Sequence, residues 1–360
     1  MNPNAHRGLD PTLDTPATAA LSADDEEGVF VFPATPAQRR FWLLDQMRPG
    51  GNPALNMSLP LRWNGPLQFA AMQRAWREVV RRHEALRTIF TVNHGELQQL
   101  ILPELEIALS YSKATDSPTE LAQAEMREPF DLVAGPLVRA RLIRLSPAEH
   151  LLLLTVHHIV SDGWSNGVIA RDLCSFYTSL LAGTPPALPE LSLQFADYAE
   201  WQTDRMANDD FAAQRTYWRE QLRGEPAALD FPEMGASLGT PATGGATCSL
   251  MLSPVLVRSV NALAANANVS PFMVFLAAFQ ILLHRYTGEL DFLVTSPSAN
   301  RDRAEFQPLV GLFVNPLILR ADLRGDPAVD ELLRRVRGTA LDAFAHQDIP
   351  FESLLDEFKA

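Results

Sequence analysis

The chain has 360 residues, 47% of them hydrophobic and 20% charged, a composition typical of a folded globular protein too long for one ordinary core. Its formal net charge of −13 argues against a nucleic-acid partner. The two lysines, Lys113 and Lys359, lie outside any glycine-rich phosphate loop, and the two cysteines, Cys174 and Cys248, are too few for a disulfide framework or a cysteine-based metal site.

No stretch of the chain has the pattern of a membrane or export segment. The longest apolar stretch, Phe272 to Leu283, is too short to span a bilayer and is interrupted by Gln280. The N-terminus lacks the basic and then apolar pattern of a secretory signal. Because the low cysteine content also fits a reducing compartment, we expect a cytoplasmic protein without a membrane partner.

The first predicted helix follows an irregular segment. Residues 1–28 are rich in Ala, Thr, Pro and Asp without periodicity, so we expect a disordered tail or linker there. Pro36 to Gln46 is a predicted helix, with Thr35 as N-cap and Pro36 at its first position. Further helices are predicted from Pro66 and near 119–127, and strands at Met57–Trp63, Arg87–Val92 and Pro136–Leu145.

A change in composition divides the rest of the chain. Leu193 to Trp218 has a helical pattern, and between Arg223 and Gly245 the chain becomes rich in Pro and Gly. We therefore predict an N-terminal lobe over 29–225 and a C-terminal lobe over 226–360. The second lobe has predicted strands at 246–252, 291–295 and 309–320 (interrupted at Asn315-Pro316) and predicted helices from Pro254, Pro271 and Pro327. Both lobes mix helices with strands, which indicates an α/β fold, built as an α+β sandwich.

The most informative stretch is residues 150–173, HLLLLTVHHIVSDGWSNGVIARDL. Leu151 to Val156 is a short apolar run rich in branched side chains, which predicts a buried strand. His157 and His158 follow it, then Asp162 and Gly163, and then apolar residues at helical spacing. The pattern is strand, polar turn, helix. Side chains at the end of a buried strand are well placed to point into a cleft from a rigid scaffold.

Several interpretations of this turn compete. In the first, the two histidines simply end a strand, and Asp162 is the N-cap of the next helix. A metal site is disfavoured because adjacent strand residues point to opposite faces. A serine hydrolase through Ser165, in the G-x-S-x-G match Gly163–Gly167, is less favoured, because a nucleophile elbow needs its serine directly after the strand.

The remaining interpretation is a catalytic histidine without a protein nucleophile. An imidazole with a pKa near ~6.5 can accept a proton from an attacking amine or hydroxyl at neutral pH. Such a site would transfer an acyl group from an activated donor to a bound nucleophile and would contribute mainly orientation.

The sequence around the histidines resembles that of a known family. His157 to Ser165, HHIVSDGWS, resembles the HHxxxDG core of nonribosomal peptide synthetase condensation domains. Five further segments resemble other motifs of this family in the same order: Thr35–Trp42 (S-x-A-Q-x-R-[LF]-W), Arg82–Phe90 (RHExLRTxF), Phe195–Trp201 (Y-x-D-Y-A-x-W), Val310–Leu317 (I-G-x-F-V-N-T-L) and His346–Glu352 (HQDxPFE). Together the six segments extend over most of the chain.

The resemblance implies a fold and a reaction. Two chloramphenicol-acetyltransferase-like lobes would form a V-shaped pseudo-dimer with a tunnel between them. Donor and acceptor peptidyl carrier proteins would present substrates on phosphopantetheine arms, and the acceptor amine would attack the donor thioester to form an amide. The domain itself would bind no cofactor, and an adenylation domain would lie in the same full-length chain.

The resemblance also implies residue roles. His158 would be the central catalytic residue, either as general base or by holding the amine. His157 and Asp162 would support it, Asp162 through a salt bridge to an arginine, and Gly163 would line the tunnel. The residues implied in substrate binding are Arg82, Arg87, Trp201, Asn315 and Ser165. For Arg82, Arg87 and Trp201, packing and salt bridging explain the residue types equally well.

Two departures from the family pattern stand out. Asn315 is followed by Pro316 where the family has threonine, which removes a backbone N–H from the predicted strand. Family members normally continue beyond a position equivalent to Ala360, so we expect the second lobe to be incomplete.

The alternatives to an amide-forming condensation domain are an epimerisation domain, an ester-forming acyltransferase, and a catalytically silent module that recruits a partner enzyme or carrier protein.

Overall fold

The computed structural model describes residues 28–114, 117–224, 226–231 and 248–358. The predicted tail at 1–28 lies outside these residues except for Gly28. The chain forms two compact units: the first ends at Trp201 and also contains Pro308–Leu312, and the second contains Gln202–Gln307 and the residues from Phe313 onwards.

The first unit contains seven described strands and the helices that cover them. The strands are β1 (Phe30–Pro33), β2 (Asn56–Asn64), β3 (Thr88–Asn93), β4 (Glu96–Ile101), β5 (Leu109–Lys113), β6 (Val138–Ser146) and β7 (Glu149–His157). The helices are α1 (Pro36–Gln46), α2 (Phe69–Arg82), α3 (Pro118–Arg127), α4 (Gly163–Ala182) and α5 (Phe195–Ala207), within which the division between the units falls.

Strand β7 lies inside a four-stranded sheet of order β2-β7-β6-β5. It pairs antiparallel with β2 and β6, and its last residue, His157, lies opposite Asn56. On one face of this sheet Leu151 and Leu153 pack with Leu121 of α3. The alternate residues Leu152 and Leu154 point to the other face and are also buried. Burial on both faces explains the uninterrupted apolar sequence of β7.

Local signals define the helix ends that matter for the site. Thr35 and Gln38 form a capping box at the start of α1, with Pro36 in its first turn, as the sequence predicts. Asp162 is the N-cap of α4, and the helix ends at Gly183, whose φ of 66° is a left-handed conformation suited to glycine. Strands β1, β3 and β4 form a second sheet of order β1-β4-β3, and β1 directly precedes α1 in the sequence.

The second unit is built from α6 (Ala212–Gln221), α7 (Pro254–Asn266), α8 (Pro271–Thr287), β8 (Asp291–Ser298), β9 (Asn315–Asp322), α9 (Val329–Ala345) and α10 (Phe351–Phe358). Strands β8 and β9 pair antiparallel. Their buried residues pack with α9, for example Phe292 and Leu319 with Val336. In the described part of the chain, no single helix is long and apolar enough to cross a membrane, whereas α7 and α8 reach that length only together across a 101° bend.

Two sequence-based predictions about the middle of the chain differ from the structure. The boundary predicted at 225/226 falls at Trp201/Gln202, because Phe211 and Trp218 belong to the core of the second unit. The helix predicted over Leu193–Trp218 is two helices, α5 and α6, separated by a turn in which Asp209 has a φ of 59°. The segment rich in Pro and Gly therefore did not mark the boundary between the units.

Two predicted strands are also corrected. Residues 248–252, the described part of the strand predicted at 246–252, are not in a strand, and Leu250 and Met251 are exposed. The strand predicted over 309–320 begins only at Asn315. Leu309, Val310 and Leu312 are nonetheless buried, as part of the first unit. A short apolar run indicates burial, and burial does not require a strand.

Candidate active site

The two histidines lie at the end of β7, and their side chains have different environments. The strand stops at His157, a single turn of 3₁₀ helix spans His158–Val160, and Asp162 then caps α4. His157 is fully buried, whereas His158 is partly accessible. The predicted strand, turn and helix are therefore confirmed, and the turn separates the two neighbouring imidazoles.

The hydrogen bond of His158 determines which of its ring nitrogens is free. Nδ1 lies 2.8 Å from the carbonyl oxygen of Ser161, which can only accept, so Nδ1–H is the donor. In the neutral ring the lone pair is then on Nε2. Burial is the main cause that holds the pKa of His158 below 6.5, and His157 adds to it, while backbone hydrogen bonds and Asp162 oppose it. A neutral imidazole with an unprotonated Nε2 can accept a proton near neutral pH.

His157 is fully buried at the end of β7. Its Nδ1 accepts a hydrogen bond from the backbone N–H of Ile159 at 3.2 Å, which places the proton of the neutral ring on Nε2. That Nε2 lies 3.6 Å from Oδ1 of the buried Asp45. The ring of Phe130 packs edge-on against the imidazole, with centroids 6.2 Å apart. The supporting role implied for His157 stays a prediction. Among the described residues, no group of three or more His, Cys, Asp or Glu is arranged to bind a metal ion.

Asp162 is buried and caps α4. Its Oδ1 accepts hydrogen bonds from the backbone N–H of Ser165 at 2.8 Å and from the Ser165 hydroxyl at 2.7 Å. The predicted salt bridge from Asp162 to an arginine stays a prediction. Next to it, a Cβ added at Gly163 would meet nothing within 4 Å, so open space adjoins this glycine. Its role as a tunnel residue also stays a prediction.

Ser165 is fully buried, and its hydroxyl is hydrogen-bonded to other groups of the protein. The hydroxyl donates to Asp162 and accepts a hydrogen bond from the backbone N–H of Gly311 at 3.1 Å. It lies inside the first turn of α4 instead of on an exposed strand-to-helix elbow. These hydrogen bonds connect α4 to residues 308–312. They do not resemble the surroundings of an activated nucleophile.

A family model described as the condensation domain matches residues 30–360 of this chain. The chain belongs to the condensation-domain family. The predicted resemblance to nonribosomal peptide synthetase condensation domains is thereby confirmed, and with it the α/β character of the fold.

Relatives of this condensation domain are large synthetases. A linear gramicidin synthase polypeptide of Brevibacillus parabrevis is 38% identical over 358 residues, which is 94% of this chain and 7% of that protein. The phosphinothricin tripeptide synthetase PhsC of Streptomyces viridochromogenes is 38% identical over 350 residues, which is 95% of this chain and 32% of that protein. The chain therefore spans a third or less of the length of these two relatives.

Solved structures share the fold of this condensation domain. The X-domain from teicoplanin biosynthesis, solved in complex with OxyB, is 30% identical with a TM-score of 0.79, covering 90% of this chain and 72% of that one. The first condensation domain of the CDA synthetase, 22% identical with a TM-score of 0.77 over 91% of this chain and 79% of that one, has the same fold.

Arg82 of the condensation domain contacts α4 and not the histidine turn. Its Nε donates to Oδ2 of the buried Asp172 at 3.0 Å, and its Nη2 donates to the Pro189 carbonyl at 2.6 Å. His83 Nε2 donates to the same Asp172 oxygen at 2.9 Å. This cluster joins α2 to the middle of α4, and its geometry matches the salt-bridging alternative stated for Arg82.

The other three predicted substrate-binding residues lie elsewhere. Arg87 donates to the Leu102 carbonyl and, at 3.1 Å, to Glu84. Trp201 packs on Tyr198 in α5, with ring centroids 5.8 Å apart. Asn315, in the second unit, is buried and hydrogen-bonded to the backbone of the segment that resembles HQDxPFE. Substrate binding by these residues stays a prediction.

Helix α1 supplies contacts that the sequence analysis does not assign. Gln38 Nε2 donates to the carbonyl oxygen of Ile159 at 3.3 Å, directly after His158. The Phe41 ring packs on His158, with centroids 4.7 Å apart, and Asp45 approaches His157. The only signal in the sequence was the resemblance of Thr35–Trp42 to a family motif, which does not say what this helix contacts.

Proposed function

We propose that this condensation domain forms an amide bond between a donor acyl or peptidyl thioester and the α-amine of an acceptor aminoacyl thioester. The observation that carries the proposal is the state of His158, whose Nδ1–H is bound to the Ser161 carbonyl so that Nε2 keeps a lone pair. Its lowered pKa keeps that lone pair free of a proton at neutral pH.

The reaction balances without a protein nucleophile. The amine nitrogen attacks the thioester carbonyl carbon, a C–N bond forms, and the C–S bond breaks as the tetrahedral intermediate collapses. One amine proton is lost and the departing thiolate gains one, and Nε2 of His158 can accept the first or hold the amine by accepting its hydrogen bond. Orientation of two bound reactants accounts for most of the rate gain expected of such a site.

The setting of the reaction is part of the proposal. Donor and acceptor carrier proteins present the substrates on phosphopantetheine arms, the domain binds no cofactor of its own, and an adenylation domain accompanies it in a longer cytoplasmic chain. The large synthetases among its relatives support this setting. We also propose the finer form of the fold, in which each of the two lobes is chloramphenicol-acetyltransferase-like.

The test is a single-turnover assay with loaded donor and acceptor carrier proteins. We expect His158→Ala to slow amide formation by about a hundredfold or more, the usual range for loss of a general base. The matched control is His94→Ala, in the turn between β3 and β4, which is expected to keep the wild-type rate. A wild-type rate in His158→Ala would defeat the assignment.

A second candidate is a silent module that docks a partner protein. The similarity to the X-domain solved with OxyB favours it. The same assay separates the two candidate functions. A docking module forms no amide with any pair of carrier proteins, and the substitution His158→Ala changes nothing in its result. Ester formation and epimerisation are distinguished by the product: a hydroxyl acceptor gives an ester, and an inverted α-carbon without chain extension indicates epimerisation.

A further inference from the structure

Four polar side chains occupy neighbouring positions on one face of the four-stranded sheet, at the end of β7. Asn56 of β2 lies directly opposite His157 of β7, and Ser58 lies directly opposite Thr155. Residues two apart on a strand share a face, and this is the face on which Leu153 packs with α3. Because directly opposite residues have Cβ atoms roughly 4.5–5.5 Å apart, the four side chains form one compact group, here called the polar patch.

Each side chain of the polar patch contributes a buried atom that has no hydrogen-bond partner among the described residues. These atoms are Asn56 Oδ1, Ser58 Oγ, Thr155 Oγ1 and His157 Nε2. In native proteins the large majority of buried polar atoms are hydrogen-bonded, either to the protein or to ordered water. Four such atoms at adjacent positions therefore indicate a polar ligand that lies between them.

The hydrogen-bonding requirements of these atoms identify the ligand. Nδ2 of Asn56 donates to the Met126 and Glu128 carbonyls, at 2.9 and 2.7 Å, so Oδ1 is the group left over and can only accept. Nδ1 of His157 accepts the Ile159 N–H, so Nε2 carries the proton and can only donate. A bare ion of either sign leaves one of these two atoms unpaired. Water satisfies both, and the two hydroxyls can also bond to it.

Charged side chains border the polar patch. Arg139 of β6 lies directly opposite Thr155 on the same face, and Glu125 Oε2 is 3.7 Å from its Nε. On the other side, Asp45 Oδ1 is 3.6 Å from His157 Nε2. Neither distance is that of a hydrogen bond, so these charges do not replace the missing partners. An open groove of about 250 Å³, lined in part by Glu125 and Arg139, brings solvent to within one side chain of the patch.

We propose that the polar patch of this condensation domain binds water. A buried cluster of about two molecules, each making about three hydrogen bonds, joins the four side chains. The cluster accepts the His157 Nε2–H and so favours the tautomer whose Nδ1 holds the Ile159 N–H. Bound water is thereby part of the structure that supports the turn carrying His158. The inference goes beyond the proposed function and does not depend on it, because it concerns the surroundings of His157 and not the reaction.

The first test is Thr155→Val, which replaces a buried hydroxyl with a methyl group of nearly the same size. If the hydroxyl is bonded to water, the substitution removes a hydrogen bond, and the unfolding midpoint of the whole chain falls by about 2–4 °C. If the hydroxyl has no partner, the substitution removes an unsatisfied buried polar group and the midpoint rises. The sign of the shift therefore separates the two cases.

The matched reference is Thr88→Val, at a hydroxyl whose partner the structure shows. Thr88 is as well buried as Thr155, at 2% against 1% exposure, and its Oγ1 donates to the Glu84 carbonyl at 2.9 Å. Because both threonines belong to the first unit, Thr88→Val measures the loss of one bonded hydroxyl in comparable surroundings. We expect Thr155→Val to lower the unfolding midpoint by a similar amount.

The second measurement uses the wild-type chain. NMR of the His157 ring identifies the nitrogen that carries the proton, and a cross-relaxation peak between that N–H and water reports a water molecule beside it. We expect Nε2 to be protonated and the water peak to be present. Unfolding is also measured with chloride replaced by a large organic anion, and the midpoint should stay the same.

A lowered midpoint in Thr155→Val, together with a water peak at the His157 Nε2–H, supports the inference. A raised or unchanged midpoint, or a protonated Nε2 without a water peak, overturns it. A midpoint that depends on chloride in the wild type but not in Thr155→Val also overturns it, in favour of a bound anion. A wild-type rate of amide formation in His158→Ala defeats the proposed function and leaves this inference standing.

Discussion

Asp162 and Ser165 hold each other in the first turn of α4, through hydrogen bonds of 2.8 and 2.7 Å from the serine N–H and hydroxyl to one carboxylate oxygen. The same hydroxyl accepts the N–H of Gly311, so the N-cap of α4 also fixes residues 308–312. The aspartate and serine of the histidine motif thus build the turn that carries His158.

The first prediction concerns this cap. Asp162→Ala removes the acceptor for two buried donors and should destabilise the start of α4 by about 1 kcal/mol, within the usual range of roughly 0.5–2 kcal/mol for an N-cap. Hydrogen exchange of the Ser165 and Asn166 amides measures the loss locally. Asp162→Asn retains an acceptor oxygen and should exchange more slowly than the alanine variant. Equal protection in all three proteins would show that the cap contributes nothing.

The second prediction concerns Gly311. A Cβ at this position would overlap the ring of Phe195, an overlap that no packed structure tolerates. Gly311→Ala should therefore displace residues 308–312 and expose them to proteolysis. Gly338 on α9 is the control, because a Cβ there meets nothing within 4 Å and Gly338→Ala should stabilise its helix by about 0.5–1 kcal/mol. Partial recovery in the double variant with Phe195→Ala would confirm that the clash is the cause.

Local sequence patterns predicted much of this site, but they could not predict contacts between residues that are far apart in the sequence. The strand over Leu151–Val156, the cap at Asp162 and the helix after it depend on neighbouring residues, which periodicity and capping preferences describe. Gln38, in contrast, bonds to Ile159 across 121 residues of sequence. Nothing in the pattern of α1 specifies which loop its buried face will meet. Phe41 and Asp45 were missed for the same reason.

The apolar stretch around Val310 shows a related limit. Its composition predicted burial correctly but suggested a strand, whereas Gly311 donates its N–H to a side chain, Ser165, in place of a neighbouring strand. A buried backbone N–H needs a partner, and sequence alone does not say whether that partner is a strand or a hydroxyl. For Ser165, likewise, the sequence gives only the G-x-S-x-G match, and the structure adds that its hydroxyl is hydrogen-bonded to Asp162 and Gly311.

The third prediction is a dependence of stability on pH through His83. Burial lowers the pKa of His83 below 6.5, and Arg82 and Arg171 lower it further, although its hydrogen bond to Asp172 opposes this. The folded protein keeps His83 neutral where the unfolded chain binds a proton, so the unfolded state gains protons as the pH falls below about 6.5. Stability should therefore decline from about pH 7 towards about pH 5.

His83→Gln isolates that contribution. Its amide can still donate to Asp172 but does not titrate, so the decline of the unfolding temperature between about pH 7 and about pH 5 should be shallower than in the wild type. His94→Gln, in the turn between β3 and β4, serves as the control and should leave the slope unchanged. An identical slope in His83→Gln would mean that other groups carry the acid sensitivity.

The fourth prediction concerns Asn315. Its Nδ2 donates to the Gln347 and Ile349 carbonyls, both at 2.8 Å, and its Oδ1 accepts the Phe351 N–H at 3.0 Å. Asn315→Ala leaves these buried backbone groups unpaired, at about 1–3 kcal/mol for each group that water cannot reach. Asn315→Asp should be at least as damaging, because it places a carboxylate oxygen against two carbonyl oxygens.

Thermal unfolding together with hydrogen exchange of the first turn of α10 distinguishes this structural role from a substrate-binding one. If Asn315 holds the turn before α10, both variants lose protection at Phe351 and are destabilised with no substrate present. Asn315→Gln keeps the same chemical groups on a longer stem, and it should fall between the wild type and alanine because the three bonds require the shorter reach. A stable Asn315→Asp variant with a raised substrate KM alone would instead favour the predicted substrate-binding role.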